Sequence, residues 1–385
     1  MVIHRSYLKN VFWPNLCVGP VFQVLNPAFG GTCGLKLGPA LTLNQYPVFE
    51  KASKYILVGI LIFLGICLSG QPVWSNAQVV KLAVVMPEGS TWTNTIHEFA
   101  KAVKTQTNGQ VRFKVYAGGI SGDESDVLRK MQANRVQAAG FSGVGLGMVL
   151  PEIRILEAPL LFDNYAELDY VKEQLFTDFE ARFEAKGFVL LGFAEAGFVY
   201  VFAASDIKTD DGLKRLKMWV WKGDRVVEGF LKAFGIATYP LHIADVNTGL
   251  ETGMIDAFYA PPLAAVAFQW HSRARYILDF PWANSTGALL MNKRAFDKLS
   301  PENQAILRRL VKEYAAHLVA LTRQDNQAAL TVLKEAGIEF VAPTADQVGT
   351  FRKSAQDYYQ DRLLQIYPED LCNNVRQLLQ DFRAK

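Results

Sequence analysis

The five histidines of the chain, His4, His97, His242, His271 and His317, are scattered, and neither a His-x-x-x-His nor a Cys-x-x-Cys spacing occurs. A protein metal site needs several such donors converging on one ion, so none is expected. A Gly-x-Ser-x-Gly elbow and a Walker phosphate loop are also missing, which removes two common signatures of nucleophilic and nucleotide chemistry. Gly143-Val-Gly-Leu-Gly147 has the wrong spacing for a nucleotide loop and no acidic residue placed for a ribose. It reads as a loop at a strand end, where a backbone must approach something closely, and such ends are where open α/β sheets bind ligands. Asp123, Glu124 and Asp126 could form an acid/base cluster, but just after Gly122 they more simply cap and charge a helix start. The residues point to binding rather than turnover, with no catalytic group and no cofactor.

The elements that would position a binding site can be read from the apolar pattern. Val79–Met86 is a short apolar run closed by Pro87 and Gly89, a buried strand and its loop. Ser90 and Thr91 can cap a helix reaching Gln106, and Val111–Tyr116 alternates as a second strand. A helix around 123–134 and a strand over Val136–Phe141 follow. The next stretch predicts a helix over Tyr165–Lys186, then strands at Phe188–Phe193, Phe198–Ala203, Leu216–Trp221, Ile236–Pro240, Met254–Tyr259 and Tyr276–Phe280. Helices over Arg225–Phe234, Val246–Thr252 and Leu263–His271 are interleaved with them. Alternation of this kind is the mark of an α/β fold around a largely parallel sheet. Ser300 as N-cap with Pro301 behind it opens a helix with no break before Gly337. At 1.5 Å per residue it would run to about 50 Å, long enough to bridge two lobes.

Half of the 385 residues are hydrophobic and 20% are charged, with a net charge of only +3. That excludes a disordered chain and supplies a large core. Basic residues occur in short pairs such as Arg308-Arg309, which argues against a nucleic-acid track. Near the N-terminus, Lys51 and Lys54 precede an apolar run from Tyr55 to Leu68, and small residues follow at Ser75 and Ala77. This is the layout of a secretory signal peptide over residues 51–77, cleaved after Ala77 and directing the chain to the periplasm. The run is shorter than the roughly 20 apolar residues of a membrane span, and bulky Ile66 before Cys67 makes lipid anchoring the lesser alternative. Residues 1–50 show no clear period and read as a non-native or unstructured leader, with Val48 a well-placed alternative start. Of four cysteines only Cys372 would survive cleavage, so no internal disulfide is expected.

Three segments carry a family resemblance: Leu213-Lys-Arg-Leu-Lys-Met-Trp-Val220, Phe234-Gly-Ile-Ala-Thr-Tyr-Pro240 and Leu250-Glu-Thr-Gly-Met-Ile-Asp-Ala257. With Pro151-Glu152, Ala158-Pro-Leu-Leu-Phe162, Leu191-Gly-Phe193 and Leu290-Met-Asn-Lys293 in order around them, the chain resembles the extracytoplasmic solute receptors of TRAP transporters. The resemblance implies a periplasmic-binding-protein-like fold: two α/β lobes, hinge strands between them, a cleft that closes on ligand and a long helix across both lobes. The corresponding division is 78–196 plus 285–325 for lobe I and 197–284 plus 326–385 for lobe II. It also implies membrane permease subunits as partners, and in some relatives with apolar pockets a helical-repeat periplasmic partner.

The chain departs from the family at its ligand anchors. The family's frequent Arg of the Leu-Lys-x-x strand is matched by Trp219, a second Arg of the hinge strand by Val199, and an Asn of the strand-end loop by Ala260. A buried carboxylate without a cation is costly, so an apolar, aromatic or weakly polar ligand is expected, with a cation held over indole rings as the lesser alternative. Trp92, Phe141, Phe198, Tyr200, Trp221, Tyr239 and Tyr259 are further candidates for the wall. Trp219 and Trp221 should face one side of their strand and Val220 the other; for Trp221, Tyr200 and Phe198, cleft wall and ordinary core are both open. Arg225, read as a surface residue, would restore a carboxylate anchor if it swung inward. An exported ligand sensor for a membrane kinase, or an enzyme on the same scaffold, are the competing functions.

Overall fold

The computed structural model describes residues 77–384, and only the backbone for residues 359–366. The expected leader, the alternative start and Cys17, Cys33 and Cys67 lie outside the described residues. In chain order the elements are β1 (Gln78–Ala83), α1 (Thr91–Gln106), β2 (Val111–Tyr116), α2 (Glu124–Gln132), β3 (Ala138–Ser142) and α3 (Gly143–Val149). A 3-10 helix (Pro151–Glu157) precedes α4 (Tyr165–Ala185) and β4 (Phe188–Ala203). Next come β5 (Lys217–Trp221), α5 (Arg225–Ala233), β6 (Ala237–Leu241), α6 (Val246–Thr252), β7 (Ala257–Ala260) and α7 (Pro262–Ala267). The chain closes with β8 (Tyr276–Asn292), α8 (Pro301–Glu335), β9 (Glu339–Val341), α9 (Ala345–Ile366) and α10 (Glu369–Arg383).

The strands form one sheet of order β2-β1-β3-β8-β4-β7-β5-β6, with β9 on β8. β1 pairs parallel to β2 and β3, and β5 pairs parallel to β6 and β7. These two parallel triplets are the sheets of two lobes. Between them β8 and β4 run antiparallel through the middle of the molecule, 17 and 16 residues long. Each passes from one lobe to the other, as hinge strands must. The pattern at Phe188–Phe193 and Phe198–Ala203, expected as two strands, belongs to this one strand, whose ladder slips near Gly192, Gly197 and Val199. Those irregularities break the alternation that sequence reading relies on. Likewise the expected strand at Tyr276–Phe280 continues to Asn292.

Each lobe buries both faces of its triplet. In the first lobe Phe179, Phe183 and Leu175 of α4 pack with Leu190 and Leu290 on one face. Val80, Leu82, Phe99 and Val103 meet Leu307, Leu310 and Val311 of α8 on the other. Further along α8, Leu318 and Leu333 pack in the second lobe with Trp219, Phe258 and Ile277. The 35-residue α8, started by Ser300 accepting from Asn303 N–H with Pro301 at the first turn, therefore joins the two lobes. Val227, Phe230 and Leu231 of α5 complete the second lobe with Trp282, Ala355 and Tyr358. One allocation differs from expectation. Leu371, Cys372, Val375 and Leu379 of α10 pack with Phe179 and Phe183 in the first lobe, so residues 326–385 are not all part of the second. Among the described residues no helix is long and apolar enough to cross a membrane.

Candidate ligand cleft

Between the lobes lies a cavity of about 190 Å³. The ends of β3, β5 and β7 open onto it, the position where α/β sheets bind ligands. Trp92 from the start of α1 and Phe141–Gly143 reach it from the first lobe, as do Arg154 and Glu157 of the 3-10 helix. Glu195, Val199, Trp282 and Asn284 come from the hinge strands. Trp219, Trp221, Asp224, Tyr259, Ala260 and Trp270 close it from the second lobe, and Leu318 from α8.

Of the ten residues expected at the wall, Trp219, Val199, Tyr259, Ala260, Trp92, Phe141 and Trp221 line this cavity. Phe198, Tyr200 and Tyr239 do not. Phe198 sits on the other face of its strand from Val199, its ring against Tyr165 at 4.5 Å between centroids, as strand alternation requires. Tyr200 pairs with Ala260 in the β4–β7 ladder and Tyr239 with Trp219 in the β5–β6 ladder, both packing at the periphery of the second-lobe core. Trp219 is the centre of the aromatic wall. It stacks on Tyr259 (5.3 Å, 22°) and meets the edge of Trp270 (5.1 Å, 67°), while its Nε1–H donates to the Leu241 carbonyl at 3.2 Å. Trp221 turns its Nε1–H to the Asp123 carboxylate at 3.2 Å.

Sequence reading missed the ionic group at the base of the cavity. Arg154 is buried, and its Nη2 donates to both oxygens of Asp224 at 3.0 and 3.1 Å. Its Nε lies 2.8 Å from Glu157 Oε2, an ion pair whose N–H is not aimed for a hydrogen bond. Glu157 Oε1 accepts from Thr286 N–H at 2.7 Å. Asp224 also caps α5 through Val227 N–H and accepts from the Tyr259 hydroxyl at 3.2 Å. Burial pushes the Glu157 carboxyl up to about 7, with Arg154 opposing the rise. Burial and the neighbouring Asp224 hold the Tyr259 hydroxyl protonated, well above its usual range. Glu195, also in the wall, is held by Lys172 at 3.1 Å and by Arg323 at 2.7 Å. Arg225, the cation that sequence reading kept in reserve, is exposed and outside the cavity. The one signal for Arg154 was a charge inside the apolar stretch Ile153–Leu156; its partner lies 70 residues away.

The glycine motif and the acidic cluster have structural roles. Gly143–Gly147 opens the short helix α3 rather than a loop, but the expected close approach is there. A Cβ at Gly143 would run into the Glu157 carboxylate, and one at Gly145 into the Phe141 ring and Glu124. Glu124 accepts from Ser142 N–H, Ser142 Oγ and Gly145 N–H at 2.6, 2.7 and 2.8 Å, although burial raises its carboxyl to about 7. Asp123 caps α2 as expected. It also takes His242 Nδ1 at 2.6 Å and the Trp221 indole from across the cleft, which ties the lobes together. No cluster of three or more metal-type donors occurs among the described residues.

Comparison with known proteins places this architecture. The family model for bacterial extracellular solute-binding proteins, family 7 (DctP), matches residues 82–365. The 2,3-diketo-L-gulonate-binding periplasmic protein YiaO of Escherichia coli K12 is 26% identical over 246 residues, 63% of this chain and 75% of that one. The ectoine/5-hydroxyectoine-binding periplasmic protein UehA of Ruegeria pomeroyi is 24% identical over 258 residues, 66% and 76% of the two chains. Among solved structures, the sugar acid binding protein DctPAm of Advenella mimigardefordensis with galactonate superposes with a TM-score of 0.75 at 19% identity, covering 79% of this chain and 98% of that one. A TRAP periplasmic solute binding protein of Desulfovibrio salexigens with orotic acid gives 0.74 at 17% identity, covering 79% and 99%. The chain belongs to the bacterial extracellular solute-binding proteins of family 7, a family of solute receptors rather than enzymes.

Proposed function

We propose that this receptor captures a small apolar or aromatic molecule and delivers it to its TRAP permease. The observation that carries the reading is that Trp219, Val199 and Ala260, the positions that the resemblance sets against the family's polar anchors, all stand in the cavity wall. Among the described residues Arg154 is the one cationic side chain lining the cavity, and its charge is already spent on Asp224 and Glu157. A sugar acid, such as the galactonate of the solved relative, would bring a carboxylate that has no free cation to meet it, at a cost of several kcal/mol. An aromatic ring would instead face Trp219, Tyr259 and Trp270, where ring contacts add about 0.5–1.5 kcal/mol each beyond area burial. In this reading residues 51–77 are an export leader. The hinge division follows residues 78–196 plus 285–325 against 197–284 plus 326–366, with α10 returning to the first lobe. A helical-repeat partner would receive the ligand from the closed cleft before the permease does.

Closure is supported by contacts that cross the cleft: Arg154 with Asp224, and Asp123 with His242 and Trp221. Both would part if the lobes swung open, and ligand filling the aromatic wall would favour re-forming them. The test is a tryptophan-fluorescence titration of the purified protein with small aromatic and carboxylate compounds, with mass spectrometry of the ligand afterwards. Saturable quenching by an aromatic compound recovered unchanged is expected. Saturation by sugar acids, or chemical conversion of the ligand, would contradict the proposal.

A further inference from the structure

Strand alternation turns Trp219 and Trp221 of β5 toward the cleft and Met218 the other way. There Met218 lines a second cavity of about 60 Å³, separate from the cleft, with Leu231 and Phe234 of α5, Phe351 of α9, Leu160 and Trp282. Its lining is apolar throughout. The volume would hold about two waters at ~30 Å³ each, but a buried water needs about two to four polar partners, and this lining offers none. A cavity of that kind stays dry.

Leu160 is pinned at its edge. The φ of +59° is a conformation that a bulky residue rarely takes, and the Leu160 N–H donates to the Trp282 carbonyl at 2.7 Å. A backbone fixed in this way does not let the leucine side chain slide inward to fill the space, and such strain persists only where the surroundings impose it. Trp282 is a wall common to both cavities. Its ring stacks on Phe230, which also lines the second cavity, at 5.5 Å and 4°. On the cleft side it meets Tyr259 edge-on at 5.7 Å and 76°, and Tyr259 stacks on Trp219. A void beside a ring leaves that side without dispersion partners; a guest would supply them and fix where the ring stands.

Independently of which ligand the cleft takes, we propose that the second cavity binds one small uncharged apolar molecule, below benzene in size, and that its occupancy reaches the cleft wall through Trp282. Benzene is too large, since it fills a cavity of ~150 Å³. A charged or hydrogen-bonding guest would leave its polar groups unpaired. The class that fits is a dissolved apolar gas or a hydrocarbon of a few carbon atoms. The linkage is reciprocal: what the guest does to the cleft wall, a cleft ligand bearing on Trp282 does to the guest.

The experiment is methyl NMR of the full chain under xenon pressure, xenon being a guest that dry apolar cavities accept. Saturable shifts are expected at the methyls of Met218 and Ile236, both in the second lining. The same concentration dependence is expected at Val199, which lines the cleft and pairs with Ala283 beside Trp282. Ile236→Phe fills the cavity from its edge; it should weaken xenon binding at Met218 about fivefold or more and remove the Val199 shift. A Val199 shift that is absent from the parent protein, or that persists at full size in Ile236→Phe, overturns the link through Trp282. No saturable shift at Met218, or equal xenon affinity in Ile236→Phe, overturns the site. Should Ile236→Phe fold poorly, anomalous diffraction from xenon-pressurised crystals of the unaltered chain decides: an atom between Met218, Phe230 and Trp282 supports the site, and xenon in the cleft alone or nowhere overturns it.

Discussion

Replacing Arg154 by Met tests the ionic base of the cavity. Arg154, Glu157 and Asp224 are 6%, 7% and 2% exposed, so water cannot take over for a missing partner. Met keeps most of the stem volume and removes the charge. Glu157 can then escape by taking a proton, since burial already holds its carboxyl at about 7. Asp224 is still bonded to Val227 N–H and Tyr259 but faces no cation. Stranding a buried charge in this way costs about 3–5 kcal/mol. Asp224→Asn is the complementary change, because Asn caps a helix as well as Asp. It leaves Arg154 with Glu157 and should cost only about 1–3 kcal/mol, the worth of a charged hydrogen bond. In the double variant neither charge is stranded, so its cost should fall about 2 kcal/mol or more short of the sum. Urea unfolding followed by far-UV circular dichroism gives all three values. A single Arg154→Met loss below about 1 kcal/mol, or strict additivity, would refute the argument.

Other changes follow from the same geometry. Because the folded state holds the Glu157 proton up to about 7 against an ordinary 4.5, the folded protein binds more protons than the unfolded chain in between. Stability from this group is greatest below pH 4.5 and is lost as pH rises toward 7; Glu157→Gln should flatten that part of a urea-midpoint profile, with the Glu124 contribution, of the same sign, left behind. Asp123→Asn keeps the α2 cap but weakens the tie to His242 and Trp221, and should raise the ligand off-rate about three- to tenfold by stopped-flow fluorescence. Trp219→Arg places a cation at the family's anchor position without a protein partner. It should lower the melting temperature, and galactonate should raise the melting temperature of the variant but not of the parent protein. Ser90→Ala removes the acceptor of Thr93 N–H at the start of α1, and should cost about 1 kcal/mol in the same unfolding assay.

The elements were legible where local chemistry decides them. β2 and α6 fall at their expected bounds, and Ser90, Asp123 and Ser300 cap the helices they were expected to cap. The hinge strands were seen only in pieces, because their ladder slips where they cross between lobes, and a period-two pattern cannot survive a bulge. Trp219, Tyr259 and Ala260 were expected at the wall from the segments that carry the family resemblance, and all three line the cavity. For Tyr200 and Phe198 the sequence left cleft wall and core both open; with Val199 in the cavity wall, strand alternation turns both to the other face of β4. Arg154 was illegible for a different reason. A buried ion pair is made by two lobes meeting, and nothing local in Ile153–Leu156 announces Asp224.

Native mass spectrometry of the protein purified from its own host, with extraction of whatever is released, addresses the central claim most directly. The account predicts one small apolar or aromatic molecule per chain, lost or weakened in Trp219→Arg. A released sugar acid or other carboxylate would contradict it, and would mean that Arg154 leaves Asp224 to meet the ligand.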